Sequence, residues 1–93
     1  MKYKKIISAL DAKTPGDKRS GKEMNRWIKI GGQKVTRVTY PKQHRGDIPI
    51  GTLRAIQKQL QLNNKQFADF IECPMTRTNY ENHLKNLIEN GTL

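Results

Sequence analysis

The chain has 93 residues, 18 of them Lys or Arg against 8 Asp or Glu, for a formal net charge of +10, which is room for one small domain and excludes a two-domain enzyme. Leu, Ile, Val and Phe together number only 20, so the core is thin, and a folded domain with a loose segment is expected. A single cysteine, Cys73, excludes an internal disulfide, and no apolar run approaches a membrane span or a signal-peptide core; a soluble, cytoplasmic chain is expected.

In chain order, Tyr3, Ile6, Ile7 and Leu10 recur at helical spacing and predict a first helix over residues 2–11. Residues 11–23 hold almost no apolar side chain and read as a loop or a weak edge strand. Residues 24–30 alternate, with Met24, Ile28 and Ile30 on one face and Asn25, Trp27 and Lys29 on the other, which predicts a strand. Gly31-Gly32 supplies a tight hairpin turn, residues 33–40 are a β-branched return strand, and Pro41 ends it. Leu53, Ile56 and Leu60 restore helical spacing over residues 50–60. Asn63 or Asn64 can cap a further helix holding Phe67, Phe70 and Ile71. Thr78 with Glu81 is a candidate capping box for a last helix carrying Tyr80, Leu84, Leu87 and Ile88, with Gly91 as its terminator. The expected fold class is α+β, a small antiparallel sheet of two to three strands packed on helices.

Charge is unevenly placed. Residues 1–50 carry 13 basic and 4 acidic side chains, and residues 51–93 carry 5 and 4. A one-sided positive field of this kind collects phosphates by counterion release and steers a polyanion onto one face. A solvated basic surface with no ligand is the plainer reading. Catalytic arrangements are sparse: His44 and His83 lie far apart, no triad order or phosphate-cradling loop is present, and no cluster predicts a metal or cofactor. His83 reads as a surface residue of no chemical consequence. His44, in the basic stretch Pro41-Lys42-Gln43-His44-Arg45-Gly46-Asp47, is either an exposed loop histidine or a proton carrier beside a phosphate. Trp27 is either a core residue or a platform for an unpaired base.

The run Val35-Thr36, Tyr40-Pro41 and His44-Arg45-Gly46-Asp47-Ile48-Pro49-Ile50-Gly51-Thr52-Leu53-Arg54-Ala55-Ile56 resembles the second half of HicA-type toxins. The resemblance covers about residues 1–72, with 73–93 as a C-terminal helical extension. It implies a double-stranded-RNA-binding-domain-like order, α-β-β-β-α, whose third strand falls in the stretch 13–20. It also implies metal-independent cleavage of mRNA and an acidic antitoxin partner of the HicB type. Family members place a catalytic His after a Gly-Ser or Gly-Lys pair, and here that motif is met by Gly21-Lys22-Glu23. A Glu in that position lacks the imidazole's capacity to accept and return a proton near neutral pH, a loss of about 10²–10⁴ in rate. Glu23 and His44 are thus the candidate catalytic residues. The candidate RNA contacts are Lys18, Arg19, Lys22, Arg26, Trp27, Lys29, Lys34, Arg37, Lys42 and Arg45.

Two other readings stand beside this one. The stretch 53–82 is similar to the helix-turn-helix of phage-repressor-type DNA-binding regulators. The second is a non-catalytic RNA-binding relative of the same family, and, compatible with RNA binding, the hairpin edge at residues 24–30 is expected to accept a strand from an acidic partner.

Overall fold

The computed structural model describes residues 2–42, 46–72 and 74–93. The elements run α1 (Tyr3–Lys13), β1 (Gly16–Ser20), β2 (Met24–Ile30), β3 (Gln33–Tyr40), α2 (Ile50–Gln59), α3 (Asn64–Glu72) and α4 (Arg77–Glu89). The fold is α+β: a three-stranded antiparallel sheet in the order β1-β2-β3, with the helices packed against one of its faces. The expected strands 24–30 and 33–40 are β2 and β3, and the polar stretch 13–20 does supply a third strand. β1 has no apolar face of its own and is held by pairing, Gly16 opposite Ile28 through Ser20 opposite Met24.

β2 is the central strand, so the edge expected at residues 24–30 is occupied on both sides and cannot receive a partner strand. The free edge belongs to β1, because β3 is tied on its outer side to α2. Thr36 Oγ1 donates to Gln59 O at 2.7 Å, and Thr39 N donates to Gln59 Oε1 at 2.9 Å.

One apolar cluster joins Ile6 and Leu10 of α1, Ile28 of β2, Val38 and Tyr40 of β3, Ile56 and Leu60 of α2, Phe67, Phe70 and Ile71 of α3, and Tyr80 and Leu84 of α4. The C-terminal helix expected as an extension after residue 72 is therefore part of the same core. Phe70 and Tyr80 meet edge to face at 5.2 Å, a geometry that aromatic quadrupoles favour, and the Tyr80 hydroxyl donates to Leu60 O at 3.0 Å. Residues 24–40 are strands joined to this core rather than an arm beside a helical bundle.

Helix ends are set by local chemistry. Asn63 Oδ1 accepts from Gln66 N while Gln66 Oε1 accepts from Asn63 N, a reciprocal cap at the start of α3. The box expected at Thr78 and Glu81 forms two residues earlier, between Thr76 and Asn79. That register puts Met75 and Tyr80 at the two positions of a hydrophobic staple, both against the core. α4 ends at Gly91, with φ of 76° and Thr92 N donating to Leu87 O, the expected glycine terminator. α2 closes in the same way on Gln61, a non-glycine residue at φ 64°.

Burial pushes the Tyr80 hydroxyl well above its ordinary titration range, and burial followed by the nearby Tyr40 does the same more mildly for Tyr3. A raised folded-state value means the native chain keeps protons that the unfolded chain releases. For Tyr80 the stabilisation is complete below about pH 10 and declines above it, by about 1.4 kcal/mol per pH unit until its folded-state value is reached; for Tyr3 the direction is the same. Urea unfolding of Tyr80→Phe is expected to show a loss of about 1 kcal/mol at pH 7 from the missing hydrogen bond. Its decline between pH 10 and 11 should be shallower than that of the unaltered chain.

Candidate nucleic-acid interface

Pleating divides the strand residues between two faces. The inner face carries Met24, Arg26, Ile28 and Ile30 of β2 and Val38 and Tyr40 of β3. The opposite face carries Asp17 and Arg19 of β1, Asn25, Trp27 and Lys29 of β2, and Lys34, Arg37 and Thr39 of β3, with Asp17, Arg19, Lys34 and Arg37 exposed. A bulge where Ile28 gives way to Lys29 inserts Val35 as an extra residue. Val35 packs against the core, and Lys34 faces outward opposite Lys29.

Trp27 is at the centre of this outer face. The Lys34 ammonium is 4.4 Å from the centre of its ring and the Arg37 guanidinium 5.2 Å, both within cation–π range. On the β1 side Asp17 is the register partner of Trp27, and Lys29 Nζ donates to Asp17 Oδ2 at 2.6 Å. The hydrogen bond and charge of Lys29, with smaller help from Lys34 and Arg19, hold the Asp17 carboxyl below its ordinary range. At the β1–β2 end, Thr39 Oγ1 donates to Asn25 Oδ1 at 2.9 Å. Lys34 and Arg37 thus lie over the half-buried Trp27 ring, with Lys29, Arg19 and the Asp17 carboxylate on the same face.

Five of the expected RNA contacts therefore share one face: Arg19, Trp27, Lys29, Lys34 and Arg37. Lys22 and Glu23 are exposed in the turn between β1 and β2, at the end of that face, where Gly21 N donates to Glu23 O at 3.0 Å. Lys18 alternates to the other side of β1, where its ammonium is 3.5 Å from Asp11 Oδ1 of α1. Lys42 lies with α1, lining a shallow cavity of about 370 Å³ with Tyr3, Lys4, Ile7 and Ser8. His44, the other candidate catalytic residue, and Arg45, a candidate RNA contact, lie outside the described residues.

Arg26 corrects the sequence reading. It is only 6% exposed, with its guanidinium turned into the helical layer rather than toward solvent. Nη1 donates to Leu10 O and Thr14 Oγ1, each at 3.3 Å, and Nη2 donates to the Asp11 carboxylate and to Tyr40 Oη. This is a structural clamp between α1 and the sheet. His83 is likewise not idle: a ring nitrogen lies 2.6 Å from Gln61 O, tying α4 to the turn after α2. Asp17 and Asn25 were the site residues the sequence left unmarked. Asn25 could have been found from its alternation with Trp27, whereas Asp17 joins the site only through the β1 register.

Among the described residues no helix is long and apolar enough to cross a membrane, and no group of His, Cys, Asp and Glu is placed to hold a metal. No protein-family model, curated protein or solved structure matches the chain, so this face is the ground on which a functional reading stands.

Proposed function

We propose that the chain binds single-stranded RNA on the outer face of its sheet, acting as the toxin of a HicA/HicB-type pair with an acidic antitoxin as protein partner. One observation carries the binding half: the only tryptophan of the chain faces outward between Lys34 and Arg37 instead of filling a thin core. A structural account of Trp27 would place it among the buried side chains. An aromatic ring flanked by cations is the arrangement on which unpaired bases stack while their phosphates are neutralised. The toxin half rests on the resemblance of residues 35–62. Glu23 stands where that family has a histidine, so binding without efficient cutting is the expected behaviour.

Because Trp27 is the sole tryptophan, its fluorescence reports on the site directly. Addition of a single-stranded decamer is expected to quench it, with an apparent affinity that falls by about 0.7 log units per contacted phosphate for each log unit of salt. With a labelled RNA, Trp27→Ala is expected to weaken binding about 10- to 100-fold and Trp27→Phe much less, since stacking is worth about 1–3 kcal/mol per base. An unquenched Trp27 in the presence of bound RNA would move the site off the sheet. In the same reactions under EDTA, intact RNA with the unaltered chain and cutting by Glu23→His would support the toxin assignment; rapid cutting by the unaltered chain that survives Glu23→Ala would remove Glu23 from the chemistry.

A further inference from the structure

The outer face holds one carboxylate in an otherwise cationic surround, and it lies directly across from the stacking ring. Asp17 is the β1 residue paired with Trp27, and Lys29, two residues along β2 on the same face, is bonded to it at 2.6 Å. A carboxylate at this position costs phosphate affinity through like-charge repulsion, so a general backbone binder gains nothing from it. Lys34 and Arg37 of β3 reach the Trp27 ring, and the Asp17–Lys29 pair is its neighbour toward β1.

Resting on the RNA-binding reading above, we propose that Asp17 and Lys29 form a guanine-selective subsite beside Trp27, reading the Watson–Crick edge of a base stacked on the indole. The pair presents two acceptor oxygens followed by a donor ammonium. Lys29 occupies one lone-pair position of Oδ2, and a carboxylate has about four, so both oxygens remain able to accept. Guanine alone offers the complement in order, two adjacent donors at N2–H and N1–H and then the acceptor O6. Adenine places the N1 lone pair, cytosine N3 and O2, and uracil O2 and O4 where at least one meets a carboxylate oxygen. The ion pair with Lys29 keeps Asp17 in the acceptor form, and bonds of this charge-assisted kind are the stronger class. Both side chains keep access to solvent, with Asp17 at 68% and Lys29 at 31% exposure, so a base reaches them without rearrangement of the strands.

The test uses the full chain and the pentamers UUGUU, UUAUU, UUUUU and UUIUU, where I is inosine, read by Trp27 fluorescence at one fixed salt concentration. UUGUU is expected to bind about tenfold more tightly than UUAUU or UUUUU. UUIUU, which lacks the 2-amino donor, should lose a few-fold of that advantage. In Asp17→Asn the preference for guanine over uracil should vanish while UUUUU binds more tightly, because a negative charge has left the face. Lys29→Gln should narrow the preference and also weaken every pentamer. Equal binding of all four oligonucleotides, or a guanine preference that persists in Asp17→Asn, overturns the subsite and leaves the RNA-binding reading standing. Failure of every pentamer to bind or quench overturns both.

Discussion

Gly16→Ala is expected to cost about 3 kcal/mol or more and to detach β1 from the sheet. Gly16 has φ of +130°, a region that side chains rarely enter, and a Cβ built on it falls 2.0 Å from Trp27 O and 3.1 Å from Lys29 N. Both obstacles are backbone atoms of the central strand, so no rotamer change relieves them. β1 has no apolar side chain to compensate, since all five of its residues are exposed. Strand pairing is its main attachment, beginning with Lys29 N donating to Pro15 O at 3.0 Å, and beside it are only the solvent-accessible ion pairs Asp17–Lys29 and Lys18–Asp11. For a chain of this size the change corresponds to a fall of roughly 10–20 °C in Tm. Gly21→Ala is the matched control. Its added Cβ comes no nearer than 3.7 Å to Glu23 O, and it is expected to shift Tm by only a few degrees. A Gly16→Ala chain that melted within a few degrees of the parent would mean that β1 is not paired as described.

The same glycine shows why β1 was the hardest strand to read. Its sequence, Gly-Asp-Lys-Arg-Ser, has neither alternation nor β-branched residues, so nothing local favours extended structure. The strand exists because β2 offers it a free edge, which is a property of the assembled sheet. β2 and β3 needed no such help. Alternating apolar positions bounded by Gly31-Gly32 and Pro41 specified their limits directly. The fourth helix lies between these cases. Its box was expected at Thr78 and Glu81 and forms at Thr76 and Asn79, the register that carries Met75 into the core, a tertiary contact the local sequence does not show.

The site was legible to a similar degree. Alternation through residues 24–30 puts Asn25, Trp27 and Lys29 on one face from sequence alone, and the cations of β3 join them. The resemblance drew attention instead to Glu23 and His44, at the end of the face and outside the described residues respectively. What stayed hidden was the cross-strand neighbourhood: that Asp17 rather than another cation faces Trp27, and that a bulge turns Lys34 toward the ring. Both depend on register, and register is settled by the pairing of two strands rather than by either sequence alone.

Arg26 gives the second large effect and separates a structural cation from a binding one. Positive charge in a basic half-chain invites assignment to phosphate, yet Arg26 shares the parity of Met24, Ile28 and Ile30, and that parity faces the core. Its guanidinium bonds two groups near the end of α1, Leu10 O and Thr14 Oγ1, as well as the Asp11 carboxylate and Tyr40 Oη of β3. Arg26→Ala removes these bonds and leaves a cavity where the stem packed, and a loss of about 2–4 kcal/mol is expected in urea unfolding. The cost stops short of that for a stranded buried charge, because the Asp11 side chain is 47% exposed and keeps Lys18 at 3.5 Å. Arg26→Met refills the space with an apolar stem and should recover half or more of the loss, since a well-packed hydrophobic replacement of a buried ion pair is often nearly neutral. RNA binding supplies the opposite ordering. Arg37→Met, on the outer face against Trp27, should weaken the decamer about tenfold with little change in stability, whereas Arg26→Met should hold its affinity within two- to threefold. If Arg26→Met instead lost RNA as Arg37→Met does while remaining as stable as the parent, its guanidinium would have to reach the phosphates, and the inward clamp on α1 would be the wrong account of this side chain.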